Sequence, residues 1–145
     1  MRMQALVLAL LVTVPASLCA QGKPAAPAPA AAAAPSPLKR TILQTHSLVT
    51  QPAREAITAL AELEVGGTAP RHIHTGEEIG YVVQGTGIVE MEGQPPRTVK
   101  AGDVFFVPPN TPHLVRNTGK VVWKGVSTYL IEKGQPLAVA APAKP

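Results

Sequence analysis

The residues best suited to chemistry are two histidines in the segment RHIHTGEE, residues 71–78. Side chains on an extended strand alternate between its two faces, so His72 and His74 project to the same face. Two imidazoles on one face, followed by a turn at Gly76 and a carboxylate, can converge on one cation. A single histidine is more often a structural hydrogen-bonding residue. The pair with a nearby glutamate favours a metal site.

A third imidazole, His113, follows 39 residues after His74, at the end of the turn-rich segment 108–113. If this segment returns to the same sheet, three nitrogens and one oxygen surround the ion. Such a mixed ligand set suits Mn, Fe, Ni, Cu, Co or Zn, and the ligands alone do not choose among these metals. Three nitrogen ligands argue against a pure Ca or Mg site.

The elements that must position these residues are short strands. Glycine and proline turns recur between them, and no segment after residue 38 has a helical period. This pattern predicts an all-β antiparallel sandwich or barrel. The predicted strands lie in the ranges Ile57–Val65, Tyr81–Val83, Val89–Met91, Phe105–Val107, Leu114–Val115 and Val121–Ile131.

Two spaced motifs resemble those of the cupin superfamily, and the chain is similar to its small single-domain bacterial members over residues 40–135. The first motif is matched by Gly66, His72, His74, Glu78 and Gly85. The second is matched by Gly102, Pro108, His113 and Asn117. Asn110 stands where the family usually has glycine, and asparagine is the other residue that tolerates a left-handed turn.

The resemblance implies a small double-stranded β-helix, or jelly roll, with one divalent transition metal inside its mouth. It implies that the metal ligands are His72, His74, Glu78 and His113. Motif spacing favours Glu78 over its neighbour Glu77, which we expect to face outward. Tight turns at Gly85 and Gly102, and a sheet-supporting role for Asn117, follow from the same resemblance.

Other pocket residues are predicted by counting in twos along the strands from the proposed ligands. The count places four side chains inward: Val82, Val115, Trp123 and Tyr129. No other inward position is acidic or basic, which predicts a largely apolar cavity. An alternative of equal weight is that Trp123 and Tyr129 are ordinary core aromatics.

The ends of the chain account for much of its unusual composition. Residues 1–20 combine Arg2, an apolar run from Ala5 to Val14 and small residues, the layout of a signal peptide. The only cysteine, Cys19, lies near the cleavage region, so no disulfide framework is expected. Residues 21–38 form an Ala/Pro-rich disordered linker, residues 39–137 the cupin domain and residues 138–145 a disordered tail. The protein is therefore expected to be exported, either periplasmic or secreted, with no membrane span in its mature form.

Charge excludes one class of partner. The chain has 13 basic and 9 acidic side chains, but between residues 39 and 137 there are ten basic and nine acidic ones, a net charge of +1. With no basic run and only five aromatic side chains, the sequence predicts no nucleic-acid binding.

The sequence is compatible with three functions. The first is a metal-dependent enzyme, dioxygenase-like, acting on a small organic molecule. The second is a non-catalytic module that binds a sugar or an organic acid, and the third is a metal that only ties the barrel together. Family and fold do not decide among them. A homodimer formed through sheet edges is also plausible.

Overall fold

The computed structural model describes residues 38–142, which form ten β-strands and no helix. This confirms the prediction of an all-β fold. In chain order the strands are β1 (Leu38–Ser47), β2 (Arg54–Leu63), β3 (His72–Ile73), β4 (Glu77–Gln84), β5 (Thr86–Met91), β6 (Arg97–Lys100), β7 (Val104–Val107), β8 (His113–Asn117), β9 (Trp123–Glu132) and β10 (Val139–Ala140).

The strands form two five-stranded antiparallel sheets. The first has the order β1-β2-β9-β4-β7 and the second the order β10-β3-β8-β5-β6. The longest register joins β2 to β9, from Arg54 opposite Glu132 to Leu63 opposite Trp123. Strands β1 and β10 are edge strands, one in each sheet.

The alternating pattern of the sequence places the core. Every second residue of β9, from Trp123 to Ile131, is buried, and the residues between them are half-buried. Val82, Val89 and Val107 from three further strands pack into the same apolar interior. Because the side chains of a strand alternate between its two faces, each strand contributes every second residue to the core.

Two predicted strand ends are wrong. Val65 lies beyond the end of β2 and Val121 before the start of β9, and these side chains are 58% and 50% exposed. A turn with a backbone hydrogen bond from Gly67 to Glu64 ends the first run. Alternating sequence alone does not mark where pairing stops.

The structure differs from the prediction at both ends of the domain. Strand β1, which begins at Leu38 in the predicted linker, is not among the predicted strands. The prediction of a disordered tail is wrong for Val139 and Ala140, which pair with Ile73 and His72 as β10. Residues 143–145, the predicted signal peptide 1–20 and the rest of the predicted linker lie outside the described residues.

The turns require the residues that the two motifs supply. Gly66, Gly85 and Gly102 have φ values of +74°, +84° and +94°. A residue with a side chain would be strained in these left-handed conformations. Asn110, where the family usually has glycine, has a φ of +55°. Its backbone N–H donates to the His74 carbonyl at 2.7 Å, so this left-handed turn ties the second motif to the first.

One outer sheet face is apolar. Ile79 and Tyr81 of β4 lie opposite Phe106 and Val104 of β7, and all four side chains are about half exposed. The formation of a homodimer through sheet edges stays a prediction.

Within residues 38–142, no helix has the length and apolar character needed to cross a membrane.

Asn117 holds the ends of three strands together. Its buried amide nitrogen lies 3.0, 3.1 and 2.8 Å from the carbonyl oxygens of Leu63, Glu64 and Val121. Its amide oxygen accepts from the backbone N–H of Gly119 at 2.9 Å. A buried amide with these partners is a structural crosslink between β2, β8 and the approach to β9.

We expect Asn117→Ala to lower the free energy of unfolding by about 2–4 kcal/mol, because it leaves several buried backbone groups without a partner. Denaturant unfolding followed by tryptophan fluorescence measures the loss. The matched control is Arg116→Gln on the same strand, where an exposed ion pair with Glu90 contributes less than about 1 kcal/mol. Equal losses in the two variants would contradict this role for Asn117.

Candidate metal centre

The three histidines converge because β3 and β8 are neighbours. His72 lies directly opposite His113 in the antiparallel register. His74 follows two residues after His72, on the same face as the sequence alternation requires. Glu78 comes from β4 in the other sheet, where it is paired with Tyr129 and Val107. The cluster therefore joins both sheets across the interior.

The side chains are close and buried. The ring centroids of His72 and His113 are 4.3 Å apart, and those of His74 and His113 are 5.1 Å apart. One ligand nitrogen from each of the three rings can be chosen so that all lie within 4.8 Å of one another. Oε2 of Glu78 lies 3.2 Å from Nε2 of both His74 and His113.

Backbone carbonyls fix the orientation of every ring. Nδ1 of His72 lies 2.6 Å from the Pro70 oxygen, and Nδ1 of His113 lies 2.9 Å from the Thr111 oxygen. Nδ1 of His74 is hydrogen-bonded to the Leu137 oxygen, just before β10. Because a carbonyl oxygen only accepts, each Nδ1 carries the proton and each Nε2 of the neutral ring keeps its lone pair.

The carboxyl group of Glu78 strongly favours its ionised form. Burial raises the pKa of its carboxyl, but the adjacent imidazoles of His113 and His74 lower it by more, and the net pKa is below the ordinary value. Burial, followed by the neighbouring His113, lowers the pKa of His72 to about 4. At neutral pH the site thus combines a carboxylate with a neutral His72, the forms in which these groups bind metals.

The cluster fits a metal ion. Nε2 of His74 and Oε2 of Glu78 are buried without a hydrogen-bond partner among the described residues. Their 3.2 Å separation is favourable only with positive charge between them, either a proton on the imidazole or a metal ion. Two donors at this spacing can both lie about 2.1 Å from one ion. His72, His113, His74 and Glu78 could together hold a transition metal.

Glu77 has a different role from its neighbour. It is half-buried on the opposite face of β4 and forms an ion pair with Arg54, which also donates to the Leu130 carbonyl. The Arg54 hydrogen bond holds the pKa of the Glu77 carboxyl below its ordinary value. A carboxylate already paired in this way is not directed toward the histidines.

A cavity of about 30 Å³ lies against the cluster. Val115, Trp123 and Tyr129 line it, as the alternation predicted, and both aromatics are also 2% exposed members of the core. Val82 does not line this cavity, because its fully buried side chain packs in the apolar core between the sheets.

Most residues that line the cavity are apolar, but the expectation that no inward position besides the ligands is charged is wrong. Arg40 of β1 lines the cavity together with His72, Glu78 and Tyr129. The signal was present in the sequence, since Leu38 and Arg40 alternate with the outward Lys39. The composition before residue 39 predicts a linker, and this prediction conceals the start of β1 at Leu38.

Two clefts open near the histidines. One, of about 280 Å³, is lined by β1 and β10 residues and by Pro70, Arg71 and His72. The other, of about 390 Å³, is reached from His113 and contains Arg71, Glu90 and Glu92. It is larger but shares only His113 with the inner cavity, whereas the smaller cleft shares Leu38, Arg40 and His72 with it. We therefore take the smaller cleft as the approach to the cluster.

Comparison with known proteins identifies the relatives of this arrangement. Residues 59–135, more than half of the 145, match the family model of the cupin domain, Cupin_2. An uncharacterized protein of Methanocaldococcus jannaschii, MJ1618, is 39% identical over 67 residues, 46% of this chain and 53% of that protein. Dimethylsulfoniopropionate lyase DddQ of Ruegeria pomeroyi is 38% identical over 61 residues, 39% of this chain and 30% of the lyase. The chain thus covers about half or less of these curated relatives.

Solved structures agree on the architecture. A Klebsiella pneumoniae protein with a double-stranded β-helix domain superposes with a TM-score of 0.62 at 15% identity, over 76% of this chain and 89% of that one. An oxalate oxidase in complex with glycolate superposes with a TM-score of 0.59 at 26% identity, over 74% of this chain and 57% of the oxidase. The two sheets therefore have the architecture of a double-stranded β-helix.

The two adjacent glutamates give a sharp test of the ligand set. We expect Glu78→Gln to reduce metal affinity by at least about 10- to 100-fold, because it removes the anionic donor. Glu77→Gln should leave affinity nearly unchanged, since its partner is Arg54. Elemental analysis after dialysis and competition with a chromophoric chelator measure both.

His72→Ala and His113→Ala extend the same test to the imidazoles. Each should abolish metal retention, because each removes one of the nitrogen donors. The ligand set would be wrong if metal stoichiometry were unchanged in these variants, or if Glu77→Gln had a larger effect than Glu78→Gln.

Proposed function

Because the chain belongs to the cupin domain family, we propose that it is a metal-dependent enzyme acting on a small organic molecule. Its centre would be held by His72, His74, Glu78 and His113. The observation that carries this proposal is the pair of buried, unpartnered donor atoms on His74 and Glu78. Such atoms need positive charge between them, which either a metal ion or a proton on the imidazole can supply.

A bound transition metal would supply Lewis acidity and positions for a substrate or a small co-substrate. Four protein ligands leave two positions open if coordination is octahedral. Structural metal sites are usually closed and rich in cysteine, and this cluster has no cysteine ligand. An open site therefore favours chemistry over a purely structural metal.

Tyr129 adds a neutral donor to the cavity wall. Burial, and then the charge of Glu78, raise the pKa of its hydroxyl. The phenol stays protonated at physiological pH, so it can donate a hydrogen bond to a ligand but does not serve as a base. Its ring lies 4.6 Å from that of His74, which places it beside the proposed ligand set.

Within this class we propose oxygen-using, dioxygenase-like oxidoreductase chemistry. It is supported by the open ligand set and by the likeness to solved oxalate oxidases at 26% identity. The dimethylsulfoniopropionate lyase relative shows that a protein similar to this one over 61 residues has a different named activity. The reaction class therefore has to be measured.

A non-catalytic binding module is the second candidate. Apart from the proposed metal ligands, no described residue lining the inner cavity is poised as a general base at neutral pH. The cavity also contains Arg40, which suits the binding of an anionic group as well as it suits catalysis. A sugar or an organic acid held without turnover would fit this alternative.

We also propose that the protein is exported and acts in the periplasm or outside the cell. The support is the signal-peptide pattern of residues 1–20 and the Ala/Pro-rich stretch that follows. Export would suit a site without cysteine ligands.

Purification of the full chain under anaerobic conditions, followed by elemental analysis, identifies the metal. We then expect oxygen consumption with at least one member of a panel of oxalate, catechol, flavonol, thiol and keto-acid substrates. Activity should be lost in Glu78→Gln and retained in Glu77→Gln. Oxygen-independent turnover would contradict the oxygenase class, and ligand binding without turnover for every restored metal would favour the binding module.

A further inference from the structure

An arginine occupies the wall of the proposed metal site. Arg40 lies on edge strand β1, on the same face as Leu38, and both line the inner cavity with His72. Lys39 between them points to the other face and pairs with Glu62. The alternation of β1 therefore aims one cation inward and its neighbour outward.

The charge of Arg40 has no carboxylate partner. Among residues 38–142 no ion pair involves Arg40, and its Nε is buried without a hydrogen-bond partner. Arg54, Arg71 and Arg116, by contrast, are each paired with a glutamate. A partly buried guanidinium is costly unless an anion compensates it, so its persistence in this wall points to a ligand.

The inner cavity and the outer cleft meet at Arg40. The inner space of about 30 Å³ and the outer one of about 280 Å³ share Leu38, Arg40 and His72 as lining residues. The inner space has room for little more than a water. A small molecule in the outer cleft would thus contact Arg40 on its way to the histidine cluster.

We propose that Arg40 binds the carboxylate of a small organic acid and holds that acid against the metal centre. This rests on the proposed function, because the metal ligands form the other wall of the same cavity. A guanidinium presents two parallel N–H donors that match a carboxylate, which makes the contact both strong and oriented.

Charge balance supports an anionic ligand. Three neutral imidazoles, one carboxylate and a divalent ion carry +1, and Arg40 raises the total to +2. In a buried site this excess is relieved by a mono- or dianion and worsened by a cationic ligand. Arg71 also lines the outer cleft, but Glu92 already compensates its charge.

The shape of the cleft narrows the class further. Besides the two arginines and His72, its lining is apolar: Leu38, Pro70, Ala138, Val139 and Ala140. A volume of about 280 Å³ is below the range of drug-sized ligands. We expect a short acid whose remaining atoms are apolar or few.

The test measures binding rather than turnover. Isothermal titration calorimetry on the metal-loaded full chain compares glycolate and benzoate with their uncharged amides. We expect the wild type to bind at least one acid 10-fold or more tightly than its amide. Arg40→Gln should weaken that acid by about 10- to 100-fold while leaving metal content and the affinity for the amide unchanged.

Lys39→Gln is the matched control, because it removes a cation one residue away on the opposite face, and it should change none of these affinities. Arg40→Lys should recover only part of the binding, since it restores charge without the two-pronged geometry. Arg40→Met keeps the apolar stem and replaces Arg40→Gln if thermal unfolding shows that the latter is not folded.

The proposal is overturned if the wild type binds the acids no better than the amides, or if Arg40→Gln and Arg40→Met bind them as tightly as the wild type. Failure of the proposed function has a different signature. If the wild type retains metal and shows no turnover, but Arg40-dependent binding of an acid persists, the arginine proposal stands and the protein is a binding module. If the wild type retains no metal, the proposed function and the arginine proposal both fail.

Discussion

The buried carboxylate of Glu78 is the constraint on which the centre depends. An ionised group that is 5% exposed between two sheets is costly unless positive charge or hydrogen-bond donors surround it. Its neighbours at 3.2 Å are imidazole nitrogens of His74 and His113, whose other nitrogens are already committed to backbone carbonyls. The ordinary way to relieve such a carboxylate, a protonated histidine, competes with a metal ion for the same space. The fold therefore creates a local need for a cation.

Backbone carbonyls make this arrangement rigid. Each ring is oriented by main-chain oxygen, so the orientation is set by the path of the chain and not by another side chain that could rotate. One of the three carbonyls belongs to Leu137, immediately before β10, and β10 is held in place by pairing with His72 and Ile73. The last described strand is thus connected to two of the histidines. What looked like a tail in the sequence completes the environment of the site.

The sequence predicts features that depend on local residue patterns and does not predict those that depend on tertiary strand pairing. Strict alternation indicates which side chains of β8 and β9 face inward, including Tyr129, whereas the choice of Glu78 over Glu77 comes from motif spacing. The spacing of two motifs, known through a resemblance, predicted the histidine cluster that no single segment could have revealed. The pairings of β1 and β10 are tertiary: neither strand has a strong period, and each is a strand only because another edge is available. Arg40 was missed for that reason.

The position of the cleft between these two edge strands has a physical logic. Interior strands are hydrogen-bonded on both sides, so access to the core of a sandwich is easiest where the sheets end. An edge also tolerates a polar inward side chain such as Arg40, because water and ligand can reach its head while its stem packs on apolar residues. The same residue in the middle of the first sheet, for example opposite Gly125 on β2, would carry an uncompensated charge in a dry core. Edge strands β1 and β10 therefore provide both an entrance to the core and a position where a charged side chain without a partner is tolerated. Strands in the interior of a sheet do not provide both.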